Sequence, residues 1–397
     1  MTTTSSAPLL PLAFCLMAGI VVGHVFHLWL SWYWLAASTA MTLLLFRYPG
    51  LQSLAIGLTT AVLGCVLLGM EVRQMEGDTG GGQPVGTVDW HPGKQVERSR
   101  LWFEIQRERL LQHYQQQGAT GDAYAVLAAM SLGDKRALSK DLKHAYAASG
   151  ASHILALSGL HLGIIYVFLS LLLRGRRWHG VSQVLLVTCI WAFAFLVGLP
   201  ASVVRSATML TVYVLLSLGD RKGMSVNVLA FTAIVMLLYS PRQLFDVSFQ
   251  LSFMAMFAIL MFLPYFDSLV SYKYMQRHQL VRWVWSLTIV SLAAQLGTAP
   301  LVAYYFGHLP LLFLFTNLIV IPAAYLLLCG CLLMLVLPAL TPLVLQIASV
   351  LNSSLRWVSS LPCSSISGLH PTVLQVCLCY MLIGVVFLLC VRTRKLI

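Results

Sequence analysis

The chain has 397 residues, 59% of them apolar and only 10% charged, with a formal net charge of +12 and a mean hydropathy of +0.82. Soluble domains average about 25% charged residues, so a chain this long and this apolar is excluded from folding around one water-bounded core, and bilayer lipid is the solvent for most of it. The charge is uneven: residues 71–152 hold ten basic and ten acidic residues, while the rest holds fifteen basic residues against Asp220, Asp246 and Asp267. Most of this excess is assigned to orienting the chain in the membrane, the remainder to attracting an anionic substrate. The nine cysteines include no CxxC pair and most sit in apolar runs, as small hydrophobes would.

In chain order, apolar runs at 8–26, 28–46 and 52–70 open the sequence. The first lacks a basic n-region and a cleavage site, so it is read as a retained span. A polar segment follows from Glu71 to about Ser152. It starts with a Gly- and Asp-rich loop (Gly77 to Gly93) and continues as a charged helix over about 97–117. Two amphipathic stretches come next, near 122–132 and 138–149, separated by Gly133 and Asp134 and ended by Gly150. Apolar runs resume at 153–173, 181–199, 201–218, 225–240, 248–264, 283–305, 311–336, 343–361 and 372–391, which makes twelve in all. Three are weaker: 201–218 contains Arg205, 248–264 is short and ends at Pro264, and 343–361 carries Asn352, Ser353, Ser354 and Arg356, which suit the interface.

The expected fold is therefore all-α: a polytopic transmembrane bundle of about 12 membrane-embedded helices with broken or re-entrant segments, plus an amphipathic helical extracytoplasmic segment. Alternate short loops hold Arg47; Arg174, Arg176 and Arg177; Arg221 and Lys222; and Lys273 and Arg277, with Arg392, Arg394 and Lys395 in the tail. If these face the cytoplasm, both termini do, and 71–152 lies outside.

Polar groups at membrane depth cost several kcal/mol unless satisfied or hydrated, and four clusters carry them. Gly150 to Gly163 (GASHILALSGLHLG) places His153, Ser158 and His161 at the head of an apolar run. On a regular helix the two histidines share a face about 12 Å apart. Gly159 and Gly163 fit close helix approach. Helix capping and packing explain the cluster as well as a site does. Two imidazoles so separated cannot share a metal ion, no HExxH or acidic ligand completes a set, and no cofactor is expected. In the second cluster, Gly198 and Pro200 precede Arg205, which must snorkel, pair, or face water. In the third, Asp246 stands at a helix start, as an N-cap or as a partner for Arg205, with Ser248, Gln250 and Ser252 following. The fourth joins Gln295, Pro300, Tyr304, Tyr305, His308, Asn317 and Pro322, its prolines marking broken or kinked helices.

At these clusters the sequence resembles the ComEC family of competence proteins, the inner-membrane DNA-uptake channels of naturally transformable bacteria. The matching residues are Leu132-Gly-Asp134-Lys, Gly150 to Gly163 with its Ser-Gly-Leu-His core, Arg205, the run LFDVSFQLSF from Leu244, Ala299-Pro300, and Phe306-Gly307. The resemblance covers about 125–325 well and the first three runs loosely. It implies four segments: 1–70, three leading spans; 71–124, a polar connector; 125–340, the competence channel domain; and 341–397, final helices and a basic tail.

It further implies a bacterial inner-membrane protein that is not an enzyme and passes single-stranded DNA along a path at His153, Ser158, Gly159, His161, Arg205, Asp246, Gln250, Gln295 and Asn317. The partners implied are membrane lipid, a separate DNA receptor, a separate nuclease, a cytoplasmic helicase, and further copies in a homo-oligomer. Many relatives insert an oligonucleotide-binding β-barrel after the third span, and the stretch from 71 to 97 is too short for one. Many also end in a metallo-β-lactamase-like domain, whose HxHxDH cluster is missing, so the chain looks like the channel part alone. Two other readings stay open: a secondary transporter of another anionic solute, which shares broken helices and buried polar groups, and an intramembrane enzyme using Ser158 and His161, which has no local acid to orient the histidine.

Overall fold

The computed structural model describes residues 7–28, 30–45, 48–78, 94–172, 179–217, 226–361 and 364–394, and is 84% helical with seventeen helices. Most of the Gly77–Gly93 loop lies outside the described residues, as do Arg47, Arg174, Arg176, Arg177, Asp220, Arg221, Lys222 and Lys395. The all-α polytopic membrane fold is the one the hydropathy demands. Among the described residues, six helical stretches are apolar and long enough to cross a bilayer, and six further apolar helices are shorter. The chain divides into two compact units, residues 1–91 with 215–253, and residues 92–214 with 254–397.

The first unit holds α1 (Leu9–Val25), α2 (Trp32–Leu44), α3 (Pro49–Asp78), α11 (Val226–Tyr239), a 3-10 turn (Pro241–Phe245) and the start of α12 (Val247–Asp267). Small residues let α1 and α3 meet backbone to backbone. A Cβ on Gly19 would lie 1.9 Å from the Ala61 carbonyl oxygen, and one on Gly64 2.5 Å from that of Leu16. Cys65 Sγ donates to the Gly19 carbonyl at 2.9 Å. Apolar side chains gain nothing by leaving lipid, so close backbone packing is what joins such helices.

The third apolar run does not end at residue 70, because α3 continues to Asp78. Glu71 on this extension accepts from Ser240 Oγ at 2.8 Å and from the Arg242 N–H at 3.2 Å, fastening the 3-10 turn. The run 28–46 yields a helix of only 13 residues with no buried member, about 20 Å long. That is short of the roughly 30 Å hydrocarbon core. Trp32, Tyr33 and Trp34 are exposed at its start, as in an interfacial aromatic belt.

The second unit begins with α4 (Lys94–Gln116), α5 (Gly121–Leu132) and α6 (Lys140–Ala148). α6 is capped by Ser139, whose Oγ accepts from the Leu142 N–H at 3.1 Å. α5 departs from the amphipathic expectation. Ala125 to Leu132 are buried on every side, and they sit in a core shared with α15 (Phe313–Met334) and α16 (Thr341–Ser360).

The polar residues of α16 are explained by this packing. Val344, Ala348, Leu351, Leu355 and Val358 form a buried stripe at helical spacing. Asn352, in that stripe, accepts from Tyr146 Oη at 2.9 Å and donates Nδ2 to the Asp122 carbonyl at 3.1 Å. Arg356 pairs with the Asp122 carboxylate, and Thr341 Oγ1 donates to Gln117 Oε1 at 2.7 Å.

The unit continues with α7 (Ser152–Leu155), α8 (Gly159–Leu172), α9 (His179–Leu196), α10 (Ala201–Ser217), α13 (Tyr272–Arg277), α14 (Gln279–Phe306) and α17 (Val373–Arg394). An antiparallel pair, β1 (His308–Pro310) with β2 (Ser365–Ser367), sets His308 opposite Ser367. The run 153–173 is not one helix, since the chain leaves helical geometry between Leu155 and Gly159. The prolines do not end or break their helices, which overturns the expected stop at Pro264 and leaves the kinked reading for Pro300 and Pro322. Pro264, Pro300 and Pro322 all lie inside continuous helices, α12, α14 and α15. Each removes one hydrogen bond, which helices of 21 to 28 residues accommodate without ending.

The α1–α3 contact predicts a sharp contrast. Gly19→Ala forces the helices apart and destabilises by about 1–3 kcal/mol or more, the usual cost of overpacking. Gly384→Ala, where a Cβ meets nothing within 4 Å, is neutral or mildly stabilising. Thermal unfolding of the purified variants in detergent measures both.

Candidate functional site

The interruption between α7 and α8 is where the polar residues converge. Ser158 is the residue before α8 and His161 is its third. The Ser158 backbone N–H donates to His161 Nδ1 at 3.3 Å, and Ser158 Oγ lies 3.1 Å from the same nitrogen. This is a capping box in which histidine replaces the usual Glu or Gln. A backbone N–H can only donate, so Nδ1 carries no proton and the neutral ring holds its proton on Nε2. His161 is 0% exposed, and its Nε2 makes no hydrogen bond among the described residues. Besides Ser158, His153 and the Ile154 carbonyl lie near the ring.

The first turns of α10 close over this break. Ser202 Oγ donates to the Leu157 carbonyl at 2.6 Å. A Cβ on Gly159 would lie 3.0 Å from Ser206 Oγ, so glycine there admits α10. Arg205, between these serines in sequence, is 2% exposed and is the largest of the fully buried side chains. Two successive residues of positive φ lead into α10, Gly198 at 87° and Leu199 at 54°. The left-handed conformation costs a residue such as Leu199 about 1–2 kcal/mol. That strain is sustained by burial of Val197 and Val203 with Leu157 and Leu162, against which Leu199 packs.

From the other side comes the turn after α5. Gly133 caps that helix at φ 73°, and a Cβ on it would strike Leu157 Cδ1 at 2.6 Å. Asp134 is buried, and its carboxylate takes two forked contacts from Arg136, Nε to Oδ1 at 2.9 Å and Nη2 to Oδ2 at 2.8 Å, while Arg136 also reaches Glu108 at 2.7 Å. The Arg136 guanidinium holds the Asp134 carboxyl below the usual carboxylate range. The stability from that shift is therefore present above the ordinary carboxylate pKa of about 3.9 and is lost as pH falls through the lowered one. Arg107 on α4 places Nη1 3.5 Å from where a Gly198 Cβ would stand. Sequence reasoning passed over this arginine, one of five basic residues that share α4 with three acidic ones. The only hint lay in Gly198 itself.

The remaining expected residues are placed as follows. His153, on α7, is exposed and contacts the Gly150 carbonyl through Nδ1 at 3.1 Å. The break means that it does not share a regular helix face with His161. A Cβ on Gly163 would meet nothing within 4 Å, so of the two glycines only Gly159 marks a close approach. Asp246 caps α12, with Oδ1 accepting from the Phe249 N–H at 2.8 Å, and Gln250 Nε2 donates to the Leu244 carbonyl at 2.9 Å. Both belong to the first unit, whereas Arg205 belongs to the second. Gln295 on α14 and Asn317 on α15 are half-buried, and Asn317 Oδ1 makes no hydrogen bond among the described residues. No three His, Cys, Asp or Glu side chains among the described residues come together as a metal site requires.

A family model described as "Competence protein" matches residues 130–393, about two-thirds of the chain. ComE operon protein 3 of Bacillus subtilis (strain 168) is 31% identical over 202 residues, 51% of this chain and 25% of that one. An uncharacterized protein of Aquifex aeolicus (strain VF5) is 34% identical over 212 residues, 53% of this chain and 47% of its own length. The uncharacterized protein YcaI of Escherichia coli (strain K12) is 25% identical over 206 residues, 50% of this chain and 27% of its own. The chain thus matches between a quarter and a half of the length of these relatives. No solved structure matches.

The capping arrangement makes a stability prediction. His161→Gln supplies an acceptor for the Ser158 N–H and a donor in place of Nε2, so its unfolding temperature stays near that of the parent. His161→Met leaves that N–H unmet and costs about 1–3 kcal/mol. Equal loss in both variants, measured by thermal unfolding in detergent, would count against the cap.

Proposed function

We propose a function from one established premise: the chain belongs to the Competence protein family. In this reading it forms the path by which single-stranded DNA crosses the bacterial inner membrane during natural transformation. Both termini face the cytoplasm, and the chain acts as a channel instead of an enzyme. A separate receptor delivers the DNA, a separate nuclease removes the second strand, and a cytoplasmic helicase draws the strand in.

The observation that carries this reading is the burial of Arg205 beside the α7–α8 break, within the residues that the family model spans. Each nucleotide brings a negative phosphate, which cannot enter hydrocarbon unaided. A fixed guanidinium inside a helix bundle supplies the positive potential that such a substrate needs. At the break, Ser158 supplies a hydroxyl, Gly159 admits α10 closely, and His161 supplies a neutral N–H donor. His153, Gln295 and Asn317 are assigned to the same path, and Asp246 and Gln250 are separate candidates within the first unit.

The test is a transformable host in which this chain is the sole copy. Arg205→Met removes a charge-assisted hydrogen-bond donor worth about 1.5–3 kcal/mol. Transformation is expected to fall by about one to two orders of magnitude at unchanged protein level, with DNA still taken into a nuclease-protected state but not into the cytoplasm. Arg205→Lys keeps charge without the planar fork and is intermediate. Wild-type transformation by accumulated Arg205→Met protein would remove the arginine from the path. Wild-type transformation by a strain lacking the chain altogether would favour transport of another anionic solute.

A further inference from the structure

The far end of the second unit, away from the α7–α8 break in sequence, has its own apolar cleft. Three contacts fix the run of the helices around it. A Cβ on Gly297 of α14 would lie 2.5 Å from Ala258 Cβ on α12. Tyr380 Oη on α17 donates to the Gly297 carbonyl at 2.7 Å. The Phe387 ring of α17 meets Phe262 of α12 edge-on, at 4.7 Å and 78°. Going from the first level to the second, α12 advances from 258 to 262 and α17 from 380 to 387, so these two helices run in the same direction. Both therefore end on one side. The chain returns from α12 through α13 into α14, so α14 starts on that side too.

Between them is a cleft of about 290 Å³ with a wholly apolar lining, including Phe262, Tyr265, Leu296, Ile383, Phe387 and Cys390. On the side where α12 and α17 end and α14 starts, basic residues outnumber the single acid Asp267. Arg392 follows Phe387 by five residues, just as Asp267 follows Phe262 by five, which brings both to one level at 1.5 Å per residue. Lys273 and Arg277 lie on α13 and Arg282 in the first turn of α14. These four cations are exposed, and none forms an ion pair among the described residues. Asp267 is the last acid of the chain, and seven basic residues follow it. Tyr274 and Trp283 are also exposed here, 51% and 47%, and such aromatics mark the headgroup level of a bilayer.

We propose that this cleft binds one anionic phospholipid, with an acyl chain between α12, α14 and α17 and the phosphate headgroup at Lys273, Arg277, Arg282 and Arg392. Charge at a helix end is enough to orient a chain. Charge at the mouth of an aromatic-lined apolar cleft matches an amphiphile whose head is negative and whose tail is hydrocarbon. Nucleic acid would use the rim but leave the cleft without an occupant.

The full chain, purified in mild detergent, is presented with phosphatidylglycerol and with phosphatidylethanolamine of the same acyl chains, and bound lipid is counted by native mass spectrometry. Phosphatidylglycerol is expected to be retained about tenfold or more over the zwitterionic lipid, with the preference lost in Arg282→Gln/Arg392→Gln. Cys390→Phe, which fills the cleft and leaves the charges in place, is expected to lose retention at an unchanged unfolding temperature. If Cys390→Phe does not fold, the charge variant decides alone. Equal retention of the two lipids overturns the proposal, as does wild-type retention by either variant. Displacement of the lipid by a thymidine oligonucleotide also overturns it and assigns the rim to DNA. The readout is independent of transformation, so failure here and failure of the DNA path are separable.

Discussion

Where a helix opens inside a bundle, every backbone group it frees must be met by a neighbour, because neither lipid nor packed side chains can supply the bond. The residues from Ala156 to Ser158 pose that problem, and its solution organises much of the second unit. The Leu157 carbonyl is taken by Ser202, 45 residues along the chain, and the Ser158 N–H by the ring of His161. The Leu157 side chain then presses on Gly133, where only a glycine leaves room and adopts φ 73°. Three distant segments, each containing a residue from the matched motifs, are thus held by one interruption. A straight helix over 153–173 would need none of them.

Burial of Arg205 belongs to the same arrangement. A guanidinium one turn into an apolar helix would ordinarily extend to the interface. Here the φ values at Gly198 and Leu199 turn the chain sharply before α10; Ser202 fastens the helix to the break, and Ser206, on the other side of the arginine, packs against Gly159. Arg107 reaches the same turn from α4. The polar segment 71–152, neutral in total charge, therefore contributes a cation at the turn before α10.

Helix positions were legible because apolar run length and end signals are local properties. The charged helix, the turn at Gly133 and Asp134, the N-cap at Asp246 and nearly every apolar run appear within a few residues of where the sequence puts them. What was not legible depends on partners remote in sequence. The break at 156–158 has no proline to announce it and exists because Ser202 and His161 satisfy it. Prolines that do announce breaks, at 264, 300 and 322, sit in helices long enough to absorb one lost bond. α5 has the look of a surface helix until α15 and α16 surround it. Gly19 and Gly23 are four apart, the spacing of close helix dimers, and that signal was present but masked by the uniform hydropathy around it. Motif resemblance gave the region near 125–325, and the family match extends it to 393, across α16 and α17, where polarity is explained by packing and offered no motif.

A path for a polyanion must also let go. Conduction requires sites attractive enough to enter and weak enough to leave, and a series of buried cations would hold each phosphate too firmly. In the second unit Arg205 is the one cation among the buried polar side chains of the described residues. The break itself offers neutral groups, the serine hydroxyls of 158, 202 and 206 and the Nε2–H of His161, while the half-buried Arg107 reaches the turn before α10. Because the cap occupies Nδ1, binding a second proton at His161 would require giving up the bond to Ser158. The residue that repairs the helix break is thereby kept as an uncharged donor, the state that weak binding of phosphate would also require in the proposed path. The proposed lipid site instead uses exposed cations, Lys273, Arg277, Arg282 and Arg392, where lasting attachment is an advantage.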